Sequence, residues 1–288
     1  MTASQTATTA PQGAARRSAR GRREDRAGFV PRLLALPALL GLALLVFPLG
    51  ALVLRVQWAT LWTDVTSPEA MSALGLSLTT GLIATAVCVV LGVPLALLIA
   101  RSADRTAAVL RAVVTVPLVL PPMVGGVAML FLFGRTSPVG GMLAEWGIRV
   151  PFTTGAVVLA QTFVALPFLV LALEGSLRTT GVGYEQTAAG LGAGRWTILR
   201  RVTLPLAAPG LIAGIVLCFA RAIGEFGATA LFAGNAPGVT QTMPLAIYTA
   251  FNGAGVSQGT AVALSLLLLV TAVAVLLLVR AWRAEPPR

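Results

Sequence analysis

Hydrophobic positions in this chain do not alternate with polar ones; they run together. Six stretches, residues 33–54, 72–100, 109–134, 154–177, 206–233 and 259–279, are almost unbroken apolar sequence. Each is long enough for a helix to cross about 30 Å of hydrocarbon, which takes roughly 20 residues. The pattern predicts an all-α, polytopic membrane protein with six transmembrane helices. Pro94, Pro117, Pro121, Pro122, Pro167 and Pro209 fall inside these runs. Each removes an intrahelical donor and crowds the preceding turn, so bends or breaks are expected there. The segment LVLPPMVGG, residues 118–126, is the best candidate for a broken helix lining a cavity.

Composition sharpens this reading. Of 288 residues, 57% are hydrophobic and 11% charged, and the mean hydropathy is +0.88. Soluble chains carry roughly 25% charge, so no sizeable water-soluble domain fits beside the spans. All 21 basic residues are arginine, and histidine is absent. Without lysine there is no P-loop to cradle a nucleotide, so the chain does not hydrolyse ATP itself. Without histidine, the His-based zinc sites and Ser-His-Asp nucleophiles are excluded. Cys88 and Cys218 lie in apolar runs and read as small core residues. No metal or cofactor is expected in this chain, and no nucleic-acid partner.

The arginines also orient the chain. With the N-terminus in the cytoplasm, seventeen arginines fall on the inner side and only Arg55, Arg135 and Arg149 on the outer side. The positive-inside rule then places both termini in the cytoplasm, in a bacterial inner membrane. Residues 1–28 lack periodicity and read as a disordered basic cytoplasmic arm, with 29–288 as the membrane domain. The arm's Arg-Arg pairs invite a twin-arginine reading. The first run, however, continues to Arg55 without a small-residue cleavage site, so an uncleaved arm near anionic headgroups is expected. Glu174 and Arg178, four residues apart, mark the inner water boundary of the fourth run.

One inner loop is distinctive. Residues 183–205, GYEQTAAGLGAGRWTILRRVTLP, are too polar for hydrocarbon. Read as E-A-A-x-x-x-G-x₉-I-x-L-P, they place Gln186, Thr187, Ala188, Gly192, Val202, Leu204 and Pro205 on the pattern, with Glu185 just before it. This resembles the EAA loop of bacterial ABC-importer permeases, which docks on the ATPase subunit. Gln186, Thr187 and Val202 depart from the consensus residues. The physical expectation is a short helix from about Tyr184 to Ala189 and another over Trp196–Arg201. Gly190, Gly192 and Gly194 would allow the reversal between them. Trp196 and Ile198 would supply an apolar anchor, and Leu204-Pro205 would end the coupling helix. The bland alternative is an ordinary basic inner loop.

The fifth run holds Arg221 and Glu225, one helical turn apart. Charges at that depth cost roughly 2.5–3.5 kcal/mol each on insertion scales, so neither should face lipid. The pair is either a structural brace or part of an anion path or gate. After it come Asn235, Pro237-Gly238 and Thr240-Gln241-Thr242, turn chemistry for an outer loop. These residues, with Arg135 and Arg149, either contact a soluble partner at the outer mouth or simply solvate helix ends.

The run RAIGEFGATALFAGNAPGVTQTMPLAIY, residues 221–248, is similar to the molybdate-type permeases of the oxyanion importers; sulfate-type permeases share its R-A-x-G-E-[FY]-G core. That resemblance implies a type I importer permease fold working as a homodimer. It also implies two copies of a P-loop ATPase carrying ATP and Mg²⁺, and a periplasmic oxyanion-binding protein. Molybdate is then the expected cargo, with tungstate, sulfate or thiosulfate as alternatives. A more distant rival, an ion-gradient-driven secondary transporter, would want further intramembrane acids.

Overall fold

The computed structural model describes residues 32–253 and 258–282. The basic arm, residues 1–28, lies outside the described residues. The chain divides into residues 1–54 and 55–288. The first unit contains α1 (Ala35–Leu54), twenty apolar residues, none of them buried.

The second unit holds α2 (Leu61–Val65), α3 (Pro68–Arg101), α4 (Asp104–Val119), α5 (Pro122–Phe133), α6 (Pro138–Glu145) and α7 (Thr154–Thr180). Next come α8 (Gly183–Gly190), α9 (Arg195–Ile198), α10 (Leu204–Ile223), α11 (Gly227–Phe232), α12 (Met243–Asn252) and α13 (Gln258–Trp282). The described residues contain no β-strand. Four helical rods are long and apolar enough to cross a membrane: Ala35–Leu54, Pro68–Arg101, Thr154–Thr180 and Arg195–Ile223. A fifth crossing arises if the bent pair α4 and α5 counts as one. The last apolar run forms α13, of which Gly259–Val275 is a shorter apolar helix. The expectation of six full spans is thus met only in part among the described residues.

The core is α3, α7 and α10, packed through small residues. Along α3 the buried positions include Ala70, Ala73, Ser77, Gly81, Ala84, Cys88, Gly92 and Ala96, spaced three or four apart on one face. Leu82, Val90, Leu91 and Leu98 point outward and are exposed. Lipid tails are as apolar as leucine, so burial sorts by size here, and small residues let backbones approach. A Cβ on Gly214 would lie 3.1 Å from the Leu169 backbone, and one on Gly92 would lie 2.7 Å from Leu169 Cδ2. Ala84, Cys88, Ala165, Leu169, Cys218 and Ala222 form the centre.

Two helices are broken within the bundle. α4 and α5 meet at 108°. Leu120 and Pro121 take extended conformations (ψ 137° and 133°), as expected of residues preceding a proline, and Pro122 opens α5 at a position where its missing N–H costs nothing. The break falls inside 118–126, where the sequence predicts it. The second break was not expected. The run 206–233 does not form one helix: α10 stops at Ile223 and α11 starts at Gly227. Glu225 Oε1 accepts the Ala228 amide at 2.8 Å, which satisfies an orphan donor of the new helix.

Candidate functional site: a broken-helix junction and a basic-end loop

The two breaks face each other. A Cβ on Gly227 would lie 3.2 Å from Met123 N and from Pro122 Cβ, a tight fit, so α11 seats closely against the start of α5. Between them is a cavity of about 370 Å³ lined by Pro121, Pro122, Met123, Arg221, Gly224, Glu225, Phe226 and Gly227. Arg221 Nη2 lies 2.7 Å from Glu225 Oε2. Glu225 is buried, whereas a quarter of the Arg221 side chain is exposed to this cavity and its surroundings. Its Oε2 nevertheless lacks a well-directed hydrogen bond. Gln161 in α7, Thr229 in α11 and Thr242 are also buried with side-chain polar atoms unpaired. Buried groups left unpaired are rare in folded protein.

A larger cavity, about 660 Å³, opens at the end of the bundle that carries α6. Phe131, Phe133, Phe152 and Leu231 wall it, with Arg135 and Arg149 in its lining. Both cavities are mostly apolar, but the smaller one holds an ion pair at a helix break, so it is the candidate site. Near the same end, Asn235 is exposed and donates from Nδ2 to Thr249 Oγ1 at 2.8 Å. Thr240 and Thr242, expected at an outer mouth, are fully buried. Thr240 Oγ1 accepts the Ala236 amide at 2.9 Å and so holds the loop itself. Gln241 between them is half-buried.

At the opposite end lies the segment 183–205. α8 and α9 occupy the two expected helical stretches, and neither buries any residue. The reversal between them uses Gly192 at φ +84°, a left-handed conformation that L side chains rarely adopt. Gly190 and Gly194 do not need positive φ. Gln186, Thr187 and Trp196 are exposed and Ala188 is half-buried. Arg200 stacks over Trp196 with Cζ 5.9 Å from the ring centroid. Leu204-Pro205 does not end the coupling helix, contrary to expectation. The rod runs on from Arg195 to Ile223 through a π-helical turn, Leu199–Thr203. A π turn absorbs one extra residue, and it stands immediately before Leu204-Pro205, where the proline removes a backbone donor.

Three contacts at this end have partners that the sequence reading did not identify. Arg101 Nη2 reaches Glu185 Oε1 at 2.5 Å, and Thr203 Oγ1 donates to the same oxygen at 2.8 Å. Glu174, expected at a water boundary, is buried: Arg111 of α4 holds it at 2.5 and 3.2 Å, and Arg178 approaches at 2.7 Å. Only the Glu174–Arg178 spacing is visible locally. Arg101 and Arg111 come from elsewhere in the chain, and their sole prior sign is that both stand at the basic ends of apolar runs.

Broken helices beside a cavity that holds an ion pair, on a bundle with exposed apolar faces, fit a multi-pass membrane protein. Residues 92–283 match the model of the "Binding-protein-dependent transport system inner membrane component" family, and the chain belongs to that family. It is 50% identical over 248 residues to the molybdenum transport system permease protein ModB of Mycobacterium tuberculosis, covering 86% of this chain and 93% of the relative. ModB of Escherichia coli K12 is 41% identical, covering 68% and 86%. The sulfate transport system permease protein CysT of E. coli K12 is 33% identical, covering 71% and 75%. Among solved structures, a bacterial ABC transporter that imports the acidic polysaccharide alginate matches with TM-score 0.67 at 16% identity, covering 94% of this chain and all of that one. This last likeness concerns the fold.

Proposed function

We propose that the chain is the membrane permease of an ATP-driven importer whose cargo is molybdate. The observation that carries this reading is 50% identity, across nearly the whole of both chains, to a molybdenum permease. The geometry supports a mechanism of alternating access. Two copies of the chain form the pathway, with α4 and α5 together as one crossing and α13 as the sixth. Both termini and the loop 183–205 face the cytoplasm, as the arginine distribution argues.

A separate P-loop ATPase, two copies with ATP and Mg²⁺, docks on the exposed face of Gln186, Thr187, Ala188, Gly192 and Trp196. An oxyanion-binding protein docks at the other end, near Asn235, Gln241, Arg135 and Arg149. ATP-driven closure pushes the loop, and the rod Arg195–Ile223 carries that push to the junction at Gly224. There Arg221 and the amide-bearing start of α5 offer positive potential to a dianion in transit, while selection rests with the binding protein.

The test is reconstitution with the ATPase and binding protein in liposomes. Labelled molybdate should accumulate only with internal ATP; tungstate should compete well and sulfate poorly. Uptake by the chain alone in ATP-free vesicles would make it a secondary transporter instead. The relation to CysT favours sulfate as the second reading, and strong sulfate competition would select it.

A further inference from the structure

Glu185 stands at the start of the loop proposed to meet the ATPase, yet its carboxylate is engaged with the body of the bundle. One oxygen, Oε1, gathers Arg101 from the end of α3 and Thr203 from the π turn below α10. Thr203 is buried, and the Arg101 and Glu185 side chains are about one-third and one-fifth exposed.

The surroundings give this contact its weight. α8 and α9 bury no residue fully; of their apolar side chains only Ala188 and Ile198 are half-buried, a weak anchor for the loop. Its joint to α7 passes through Gly181, at φ +70° with open space around it, which is a pliant connection. Its joint to α10 is a continuous helical rod. A push on the loop therefore reaches α10 through the backbone. Among the described residues, the loop's ion pair with α3 is the one from Glu185 to Arg101, beside the packing of α3 on α10.

We propose that Glu185 is a positioning residue, a strut that makes α3 follow the loop and α10 as one body when the ATPase closes. This rests on the reading of the chain as an ABC permease. It adds that Glu185, together with Arg101 and Thr203, governs how efficiently hydrolysis is converted into transport, with little part in ATPase docking.

The experiment uses the complete complex in liposomes and reads anion imported per ATP hydrolysed. Glu185→Gln and Arg101→Gln should each lower that ratio at least about fivefold, the scale of a typical coupling energy. ATPase co-purification and ATP hydrolysis should stay within about twofold, because a part-exposed ion pair contributes little to folding. The exchanged pair Arg101→Glu/Glu185→Arg should recover most of the ratio, which a merely structural defect would not do.

An unchanged ratio in Glu185→Gln overturns the strut. So does failure of the exchanged pair to recover, and so does loss of ATPase co-purification, which would make Glu185 a docking contact. Should the unmutated chain bind no ATPase and show no ATP-dependent uptake, the functional reading itself fails, and that result is distinct from the others.

Discussion

Two buried carboxylates in this bundle have nearly the same exposure and very different company. Glu174 accepts from Arg111 through both oxygens and from Arg178 through one. Glu225 has a single arginine, poorly directed, and one backbone amide. A carboxylate held by two arginines ties helices together, and moving it would break several strong contacts at once. One held by a single, poorly directed arginine beside a cavity at a helix break has less to lose on rearrangement. The contrast supports reading Glu174 as a brace between α4 and α7, and Arg221–Glu225 as a joint that can reorganise.

The brace should fail hardest. Arg111→Leu/Arg178→Leu leaves Glu174 buried without a counter-charge, and should cost about 3–5 kcal/mol, seen as loss of folded protein in fluorescence-detected size exclusion. Arg221→Gln leaves Glu225 its backbone amide and an uncharged donor in place of the arginine, and should lower the melting temperature less than the double variant does. Losing one charge-assisted contact of about 1.5–3 kcal/mol should slow uptake roughly tenfold to a hundredfold. If instead Arg221→Gln abolishes folding, the pair is a brace after all and the contrast dissolves.

Gln161 sharpens the comparison from the other side. Its amide is buried and unpaired, so Gln161→Leu should raise stability by up to about 1–3 kcal/mol in thermal unfolding. A destabilised variant would mean that bound water already satisfies the amide. The smallest effect belongs to Arg135→Gln/Arg149→Gln, at two exposed arginines outside the bundle core. Stability should change by less than about 0.5 kcal/mol, while association with the binding protein slows and loses salt dependence.

What the sequence discloses follows from how local the physics is. The break at Pro121-Pro122 is legible because proline acts on its own backbone and on the residue before it. The loop reversal is legible because glycine clusters where φ turns positive, although which glycine does so is not. The break at Gly224 is hidden. Apolar residues continue on both sides, and the cause is a contact between Glu225 and an amide three residues on, which a span-length count passes over. The partners of Glu174 and Glu185 are hidden for a different reason: Arg111 and Arg101 lie 63 and 84 residues away, and charge pairing has no period. Thr240 and Thr242 look like loop polarity and prove to be loop interior; the Thr240 hydroxyl serves a backbone amide as readily as it would serve solvent, while that of Thr242 is buried unpaired.

The right-angled corner between α4 and α5 has a consequence for the passage of charge. At about 1.5 Å per residue, sixteen residues reach roughly 24 Å and twelve roughly 18 Å, so neither arm traverses the hydrocarbon alone. On the proposed transport reading, the corner sets non-helical backbone at Leu120 and Pro121 partway through the crossing. A doubly charged solute taking that route meets two thin dielectric films with a polar landing between them, instead of a single thick one.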